Sequence, residues 1–454
     1  MLNKQLINNV LDILLHNGGN FAEIYLAKET VFSFVLENNK IKSFKVGDEI
    51  GAHLRIINGD KTYSSYTNDF EDKSLLALAK NTSKTLSDQK TANIIQIKLM
   101  NNYTYNSLNV SENDERLALF MNTSEQVFNS SDKIVQVTFN YSNVLKDIAI
   151  YNSDGLAIND NQSYSRYAVN LVAKDGNITQ TAYEGPGLTG KENILTKYPL
   201  DIAVEKALSR VIRNLKAEQA PTGQMPVILL GEAGGTMIHE ACGHGLEADF
   251  LYKQTSIFNN KLDQKVAADC VTVIDDGSIP GLYGSYKIDD EGIPAKKTIL
   301  IENGILKGYL SDRLNSKLLG IPLTGNGRRE SFRNKPVPRM SNTFIENNTF
   351  DPNEIVNSVK QGLLVKRMGG GQVNITNGDF IFELMEGYLI QDGKQGKPIR
   401  GASLIGNGPN VLMDIDMIGN DKHFIAGVCG KYDSVPVGDA QPTLRIPKMT
   451  IGGQ

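Results

Sequence analysis

The stretch MPVILLGEAGGTMIHEACGHGLEADF, residues 225–250, decides how the C-terminal half of the chain folds. Its apolar start predicts a buried strand, the glycines that follow predict a turn, and the remainder predicts a helix that begins near Gly235. This helix carries His239, Glu240 and His244. The stretch therefore predicts a strand, turn and helix unit with two imidazoles and one carboxylate in a single short helix.

These three side chains are suited to zinc chemistry. Zinc favours imidazole and thiolate ligands, and a catalytic zinc site uses three protein ligands and leaves one position open for water. Glu240, beside His239, is placed to take a proton from zinc-bound water and to deliver it to a leaving amine. Because the motif is short, two ordinary buried histidines on a helix remain the alternative interpretation.

The spacing of the two histidines requires a distorted helix. His239 and His244 are five positions apart, which separates them by about 140° around a regular helix. One extra residue in the turn, a π-bulge, would bring both rings to one face, and such bulges occur preferentially at functional sites. We therefore predict a widened turn between Ala241 and His244, placed at Gly243.

Several residues are candidates for the third ligand. Cys429, in HFIAGVCGKYD, would bind zinc as a thiolate, although a lone cysteine among apolar residues is also typical of core packing. Cys242 lies three residues after His239 on the same helical face and competes with it, whereas Cys270 is interpreted as strand packing. The sequence alone leaves this choice open.

Two acidic residues and the other three histidines must also be considered for this site. Glu247 and Asp249 are candidates for a third ligand or for a partner that holds an imidazole in one tautomer. His16 and His53 are interpreted as structural residues. His423 shares strand parity with the late cysteine and is considered as a residue near the metal.

Working outward, the rest of the chain predicts an α+β fold. Residues 21–66 alternate apolar and polar side chains, with Asn, Gly and Asp at the breaks, as antiparallel hairpins do. Helices are predicted near 70–86, 111–129 and 198–217, and further strands between 133 and 180.

The length of the chain predicts more than one domain, because 454 residues exceed one ordinary core. After Pro226 the composition shifts to apolar β-branched runs separated by glycine-containing turns. We place an N-terminal α+β domain at 1–195, a connecting helix at 196–220 and a sheet-rich C-terminal domain with the zinc-site helix at 221–454.

Composition excludes several classes of protein. A net charge of -4 without a dense Lys/Arg run argues against nucleic acid as a partner. No apolar stretch approaches the length of a membrane span, so no membrane partner is expected. Three widely spaced cysteines argue against a disulfide scaffold and for a reducing, cytoplasmic location.

Two other functions are compatible with parts of the sequence. GEAGGT, at 231–236, follows a strand and opens a helix as phosphate loops do, but it lacks both GxGxxG and GxxxxGK[ST]. A non-catalytic subunit of a heteromeric assembly is the other alternative, and the intact Glu240 argues against it, because a purely structural zinc site needs no base.

Longer segments carry a resemblance that is more specific than the short motif. They cover most of residues 225–445 and are HEACGHGLEADF (239–250), DDEGIPAKKTILIENGILKGYLSDRLNS (289–316), TGNGRRESF (324–332), PRMSNT (338–343), MGGGQVNITNGDFIF (368–382), GKPIRGASLIGNG (396–408), GVCGK (427–431) and SVPVGDAQPTL (434–444). On these segments the sequence resembles the TldD/PmbA family of zinc metalloproteases, on the TldD-like side that carries HExxxH.

The resemblance implies a specific site. It implies hydrolysis of peptide bonds, with Zn²⁺ held by His239, His244 and Cys429 and with Glu240 as the catalytic acid and base. Cys242 is not a ligand under this resemblance.

The resemblance also implies partners. They are unfolded or extended peptides admitted to a sheltered cleft, and a second subunit, either another copy or a PmbA-like chain without HExxxH. Arg328 and Arg329, in GNGRRES, are candidates for binding a peptide carboxylate or carbonyl, and an ion pair that ties down a loop is the alternative.

Overall fold

The computed structural model describes residues 2–86 and 111–453. The α+β class is confirmed. The helices are α1 (Lys4–Leu15), α2 (Asp72–Ser83), α3 (Ser111–Asn129), α4 (Ile194–Lys197), α5 (Leu200–Leu215), α6 (Thr236–Ile238), α7 (Ala248–Tyr252), α8 (Arg313–Leu319), α9 (Pro352–Asn357) and α10 (Gly408–Asp414).

The strands begin just after α1. They are β1 (Phe21–Glu37), β2 (Lys40–Asn58), β3 (Lys61–Thr67), β4 (Ile134–Asn152), β5 (Ala157–Asp175), β6 (Ile178–Glu184), β7 (Gly187–Thr189), β8 (Glu218–Gln219), β9 (Gly223–Leu229), β10 (Val273–Asp276), β11 (Lys297–Glu302), β12 (Ile305–Leu306), β13 (Gly327–Arg328), β14 (Val337–Pro338), β15 (Asn342–Ile345), β16 (Gln361–Val373), β17 (Asp379–Gln391), β18 (Lys394–Arg400), β19 (Ala402–Asn407), β20 (Met417–Ile418), β21 (His423–Gly430), β22 (Ser434–Gln441) and β23 (Leu444–Gly453). The predicted early hairpins and the predicted helices are therefore present, with ends shifted by a few residues.

The first sheet contains seven strands in the order β3-β2-β1-β4-β5-β6, and β7 also pairs with β5. Its first hairpin turns through Asn38 and Asn39, whose φ angles of 47° and 63° suit asparagine in a two-residue turn. One face of β1, which includes Ile24 and Phe34, packs against helices. The opposite face, with Tyr25, packs against Phe332 of the C-terminal half.

The C-terminal half contains two larger sheets. An eight-stranded sheet has the order β16-β9-β23-β19-β17-β18-β8, and its eighth strand, β20, pairs with β23. Because β16 also pairs with β17, five of these strands close into a ring. A six-stranded sheet has the order β12-β11-β10-β15-β22-β21 and therefore ends at β21. The helical segment after β9 packs between these sheets in one continuous apolar core. This arrangement brings residues 239–246 beside the last strand of the six-stranded sheet.

Within the described residues, no helix is both long enough and apolar enough to cross a membrane.

Candidate metal centre

The helix that carries the histidines contains the predicted distortion. The His244 N–H donates to the His239 carbonyl five residues back, and residues His239–Gly243 form a π-helical turn. The prediction of a widened turn is confirmed, although the turn begins two residues earlier than Ala241. A Cβ at Gly243 would lie 2.1 Å from Met340 Sδ, so Met340 packs directly on the bare backbone of the turn.

Three ligand atoms converge beside this turn. Cys429 Sγ lies 3.2 Å from His239 Nε2 and 3.4 Å from His244 Nε2. The two imidazole rings stand nearly perpendicular, at 85°, with their centroids 5.0 Å apart. Nitrogen and sulfur ligands of one tetrahedral zinc lie about 3.5 Å apart, from the usual bond lengths. The donor set and its spacing therefore fit zinc.

The other nitrogen of each ring is held by a carboxylate. His239 Nδ1 lies 2.7 Å from Asp439 Oδ1, and His244 Nδ1 lies 3.0 Å from Glu247 Oε2. Since a carboxylate accepts a hydrogen bond, these contacts place a proton on each Nδ1, so that Nε2 is the nitrogen of each ring that can bind a metal. This is the tautomer that a metal ligand needs.

Two cationic side chains, Lys431 and Arg339, hold one of these carboxylates and the cysteine in place. Lys431 Nζ lies 3.0 Å from Glu247 Oε2 and 2.6 Å from Asp249 Oδ1. The Arg339 guanidinium donates to the Cys429 carbonyl at 2.5 Å and to Asp433 at 2.6 Å. The two sequence segments that supply the ligands are therefore tied together by ion pairs as well as by the core.

Electrostatics favour a thiolate in this position. Burial alone would raise the pKa of Cys429, but the adjacent His239 and His244 lower that pKa to about 5. Burial raises the pKa of Glu240 above its ordinary value. Burial would also raise the pKa of Glu247, and the Lys431 ammonium and His244 lower it to about 2.

The cluster opens onto a cleft with a volume of about 1000 Å³. Glu240 lines this cleft and is partly exposed to it. The walls are β5 and β6 of the first sheet, the end of β16, and residues 425–430 of the edge strand β21. A cleft of this size is at the upper end of the range for small-molecule sites and has room for a short segment of peptide.

Other predicted candidates lie apart from the three ligand atoms. Cys242 is buried and its thiol donates to the Ile238 carbonyl at 3.3 Å, while burial raises its pKa to about 12. Cys270 lies before β10 and donates to the Ile415 carbonyl. His423 is at the opposite end of β21 from Cys429, roughly 20 Å away at the usual rise per residue.

The two candidate arginines do not reach the cleft. Arg328 donates to the Met340 and Pro436 carbonyls at 2.6 and 2.7 Å. Arg329 is fully buried and donates to Glu23 Oε1 at 2.8 Å. The structure therefore gives no support to substrate binding by these arginines and matches the alternative, in which they tie down a loop.

Sequence reasoning missed Asp439 and Lys431. Glu247 contacts His244, as the interpretation of Glu247 as the partner of an imidazole requires, whereas Asp249 contacts Lys431 rather than a histidine. Asp439 could have been found from the hairpin of β21 and β22, because it is the one acidic residue in the apolar run VPVGDAQ and pairs with Ile425 beside the site.

The donor set, its carboxylate partners and the open cleft form a candidate metal centre of the kind that metallopeptidases use. Three family models match the chain: PmbA/TldA metallopeptidase domain 1 at residues 22–85, the central domain at 107–215, and the C-terminal domain at 222–453. The chain belongs to the PmbA/TldD family of metallopeptidases, so the resemblance found in the sequence is confirmed. Our own division at 195 and 220 stays a prediction.

Known proteins resemble the chain over most or all of its length. The metalloprotease TldD homolog of Haemophilus influenzae is 34% identical over 100% of this chain and 97% of that protein. The zinc metalloprotease TldD homolog of Saccharolobus solfataricus is 29% identical over 75% of this chain and 76% of its own length. The crystal structure of TldE from Thermococcus kodakarensis superposes with a TM-score of 0.75 at 18% identity, over 99% of this chain and 100% of that one.

Proposed function

We propose that the chain is a zinc-dependent peptidase that hydrolyses unfolded or extended peptides in the cleft. One observation carries the proposal: the ligand atoms of His239, His244 and Cys429 lie within 4.8 Å of one another, with Glu240 beside them on the same cleft. Zinc held by these three residues would supply Lewis acidity, which polarises a peptide carbonyl and makes water a stronger nucleophile.

Each neighbouring residue has a part in this proposal. Glu240, whose pKa is raised by burial, takes the proton from the attacking water and passes it to the leaving amine. Asp439 and Glu247 hold the two imidazoles in one tautomer and orientation.

The cleft supports an extended substrate. β21 is the edge strand of its sheet and carries Cys429, so a peptide that adds as a further strand would run past the metal ligands. Main-chain hydrogen bonds to a strand edge give affinity with little dependence on side chains. This mode excludes compact folded substrates, because their backbones are already paired.

A dimer remains part of the proposal. The structural relative named TldE and the resemblance to paired TldD-like and PmbA-like chains support a second subunit, either another copy or a PmbA-like chain. Size determination of the purified chain alone and together with such a partner tests this.

The deciding experiment compares zinc content and cleavage of an unstructured peptide among four proteins. We expect Glu240→Gln to keep zinc and to lose activity by about 10²- to 10⁴-fold, because only the proton transfer is removed. We expect Cys429→Ser to lose zinc and activity together. Cys270→Ser, outside the cluster, should keep both and serves as the matched control.

Three outcomes would count against the proposal. Full activity in Glu240→Gln would remove its role as acid and base. Wild-type zinc affinity in Cys429→Ser would remove the thiolate from the ligand set. Bound nucleotide in place of zinc after purification would favour the nucleotide-binding alternative.

A further inference from the structure

One wall of the cleft presents an arginine without an acidic partner. Arg166 lies on β5 and lines the cleft. Its guanidinium donates to the hydroxyl of Tyr183, on the neighbouring strand β6, and no carboxylate of residues 2–86 or 111–453 lies within ion-pair distance. Among the described residues its charge is therefore not neutralised, and its remaining N–H groups are available to a ligand.

A second arginine lines the same cleft from β16. Arg367 donates to the Glu232 carbonyl at 3.4 Å, and its nearest carboxylate, Glu184, is 3.8 Å away. Both contacts are at the long end of their range, and a shorter carboxylate contact would replace them at little cost. The cleft therefore has two guanidinium groups that the protein itself satisfies poorly.

The other charges that line the cleft are already engaged. Lys431 is paired with Glu247 and Asp249, and Asp439 is paired with His239. Apart from Glu240 and Asp439, the described residues that line the cleft carry no carboxylate, and Glu184, which is not among them, is already held by Arg210 at 2.7 Å. Since the whole chain has a net charge of -4, the positive wall is a local feature and does not reflect the overall composition.

We propose that the cleft selects peptides that carry a carboxylate, which Arg166 and Arg367 bind. The carboxylate is either an aspartate or glutamate side chain or the free C-terminus of the peptide. Guanidinium groups recognise carboxylates through parallel N–H···O bonds, which add direction to charge. The inference rests on the proposed function because it takes the ligand of the cleft to be a peptide.

Arg166 is held in place before a ligand arrives. The Tyr183 hydroxyl accepts from one end of its guanidinium, and the Tyr283 ring lies 5.9 Å from its Cζ. Ordering a free arginine on binding would otherwise oppose affinity, because its side chain has many rotamers. This anchoring makes Arg166 the main determinant of the preference and Arg367 the second.

Binding is measured with three labelled peptides that share one unstructured sequence. The first has an internal aspartate and an amidated C-terminus, the second has asparagine and an amidated C-terminus, and the third has asparagine and a free C-terminus. Fluorescence anisotropy with the zinc-loaded Glu240→Gln protein reports affinity without cleavage. We expect the first or the third peptide to bind about tenfold to a hundredfold more tightly than the second, and the stronger one identifies the source of the carboxylate.

Substitutions of Arg166 test whether this arginine causes the preference for a carboxylate. Arg166→Gln, which can still donate to Tyr183, should reduce the preference to within about threefold, and Arg166→Lys should keep part of it. Arg445→Gln makes the same change of charge at an exposed ion pair with Asp416 and should leave the preference unchanged. The preference should also weaken as salt is added.

Equal affinity for all three peptides would overturn the inference. So would an equal loss of preference in Arg166→Gln and Arg445→Gln. The proposed function is tested separately. If the protein prefers peptides with a carboxylate but cleaves no peptide, only the proposed peptidase activity is contradicted. If it cleaves peptides without this preference, only the present inference is contradicted.

Discussion

Two clusters of buried charged residues, among those that the structure describes, differ in how their charges are satisfied. In the metal centre, the donor atoms of His239, His244 and Cys429 face one another and an open cleft. The second cluster joins the first sheet to the C-terminal half, and we call its members, Glu23, Arg55, Asp290, Glu291 and Arg329, the interface network.

Every charge in the interface network meets an opposite charge or a hydrogen-bond donor of the protein. Arg55 lies 2.8 Å from Glu23 and 2.7 Å from Glu291, and Arg329 lies 2.8 Å from the other oxygen of Glu23. Nothing in such an arrangement requires a ligand. The comparison teaches that buried charge by itself does not mark a reaction site, whereas ligand atoms that converge on a cavity do.

The largest effect on stability should come from the interface network. Arg329→Met leaves one oxygen of the buried Glu23 without its cation, and breaking a buried pair costs about 3–5 kcal/mol. We expect a loss of this size in the free energy of unfolding, measured by urea denaturation. Zinc content and peptide affinity of the folded fraction should not change, because Arg329 lies outside the cleft.

The exposed pair of Arg445 and Asp416 supplies the control for this prediction. Arg445→Gln should cost less than about 1 kcal/mol. A different result would be that Arg329→Met unfolds with the free energy of the wild type and binds peptide more weakly. That result would contradict a purely structural role for the interface network and would place Arg329 in the substrate site.

The sequence predicted the parts of the metal centre that depend on local spacing. The five-residue offset of His239 and His244 requires a π-turn wherever the two rings share a metal, so local geometry alone was sufficient. Cys429 could not be derived this way, because a thiol among apolar residues is indistinguishable from core packing until strand pairing places it. Its assignment came from the resemblance instead.

The arginines show why the interface network was not predictable. Arg328 and Arg329 follow glycines in a polar loop, a pattern that fits binding of a ligand as well as ion pairing. What decides between these is Glu23, which lies 306 positions away in sequence. Pairing over such separations depends on how the two halves dock, and a single sequence carries no local signal of that docking.

A smaller effect is expected from the carboxylates that hold the imidazoles. Asp439→Asn keeps the shape of the side chain but replaces an acceptor with a group that also donates, so His239 loses its fixed tautomer. We expect zinc affinity to fall about tenfold to a hundredfold, which is about 1.4–2.8 kcal/mol, with little change in stability. Competition with a chelator at fixed pH measures it.

Asp416→Asn is the matched control, because this aspartate is exposed and pairs only with Arg445 among the contacts that the structure shows. Its zinc affinity should equal that of the wild type. If Asp439→Asn and the wild type bound zinc equally tightly, packing alone would hold the His239 ring. The Asp439 carboxylate would then not contribute to zinc affinity, and the contrast with the interface network would be weaker.

The smallest predicted effect concerns His53, at the border of the interface network. Its Nδ1 donates to the Phe332 carbonyl at 2.8 Å, and burial, together with the positive charge of Arg329, lowers its pKa to about 3. The folded protein therefore keeps this ring neutral at pH values where the unfolded chain, with a pKa near 6.5, binds a proton. Stability from this group is complete above about pH 7 and is lost progressively as the pH falls toward 3.

Between about pH 7 and pH 5.5 the loss from this one ring should be about 1 kcal/mol. His53→Gln removes the titrating group and can still donate to Phe332, so its unfolding free energy should depend less on pH over this interval, although its stability at pH 7 is lower. His16→Gln, at an exposed position after α1, should keep the pH dependence of the wild type. If His53→Gln lost as much stability as the wild type between these pH values, the ring would not be excluded from protons, and the contact between the two halves would be open to water.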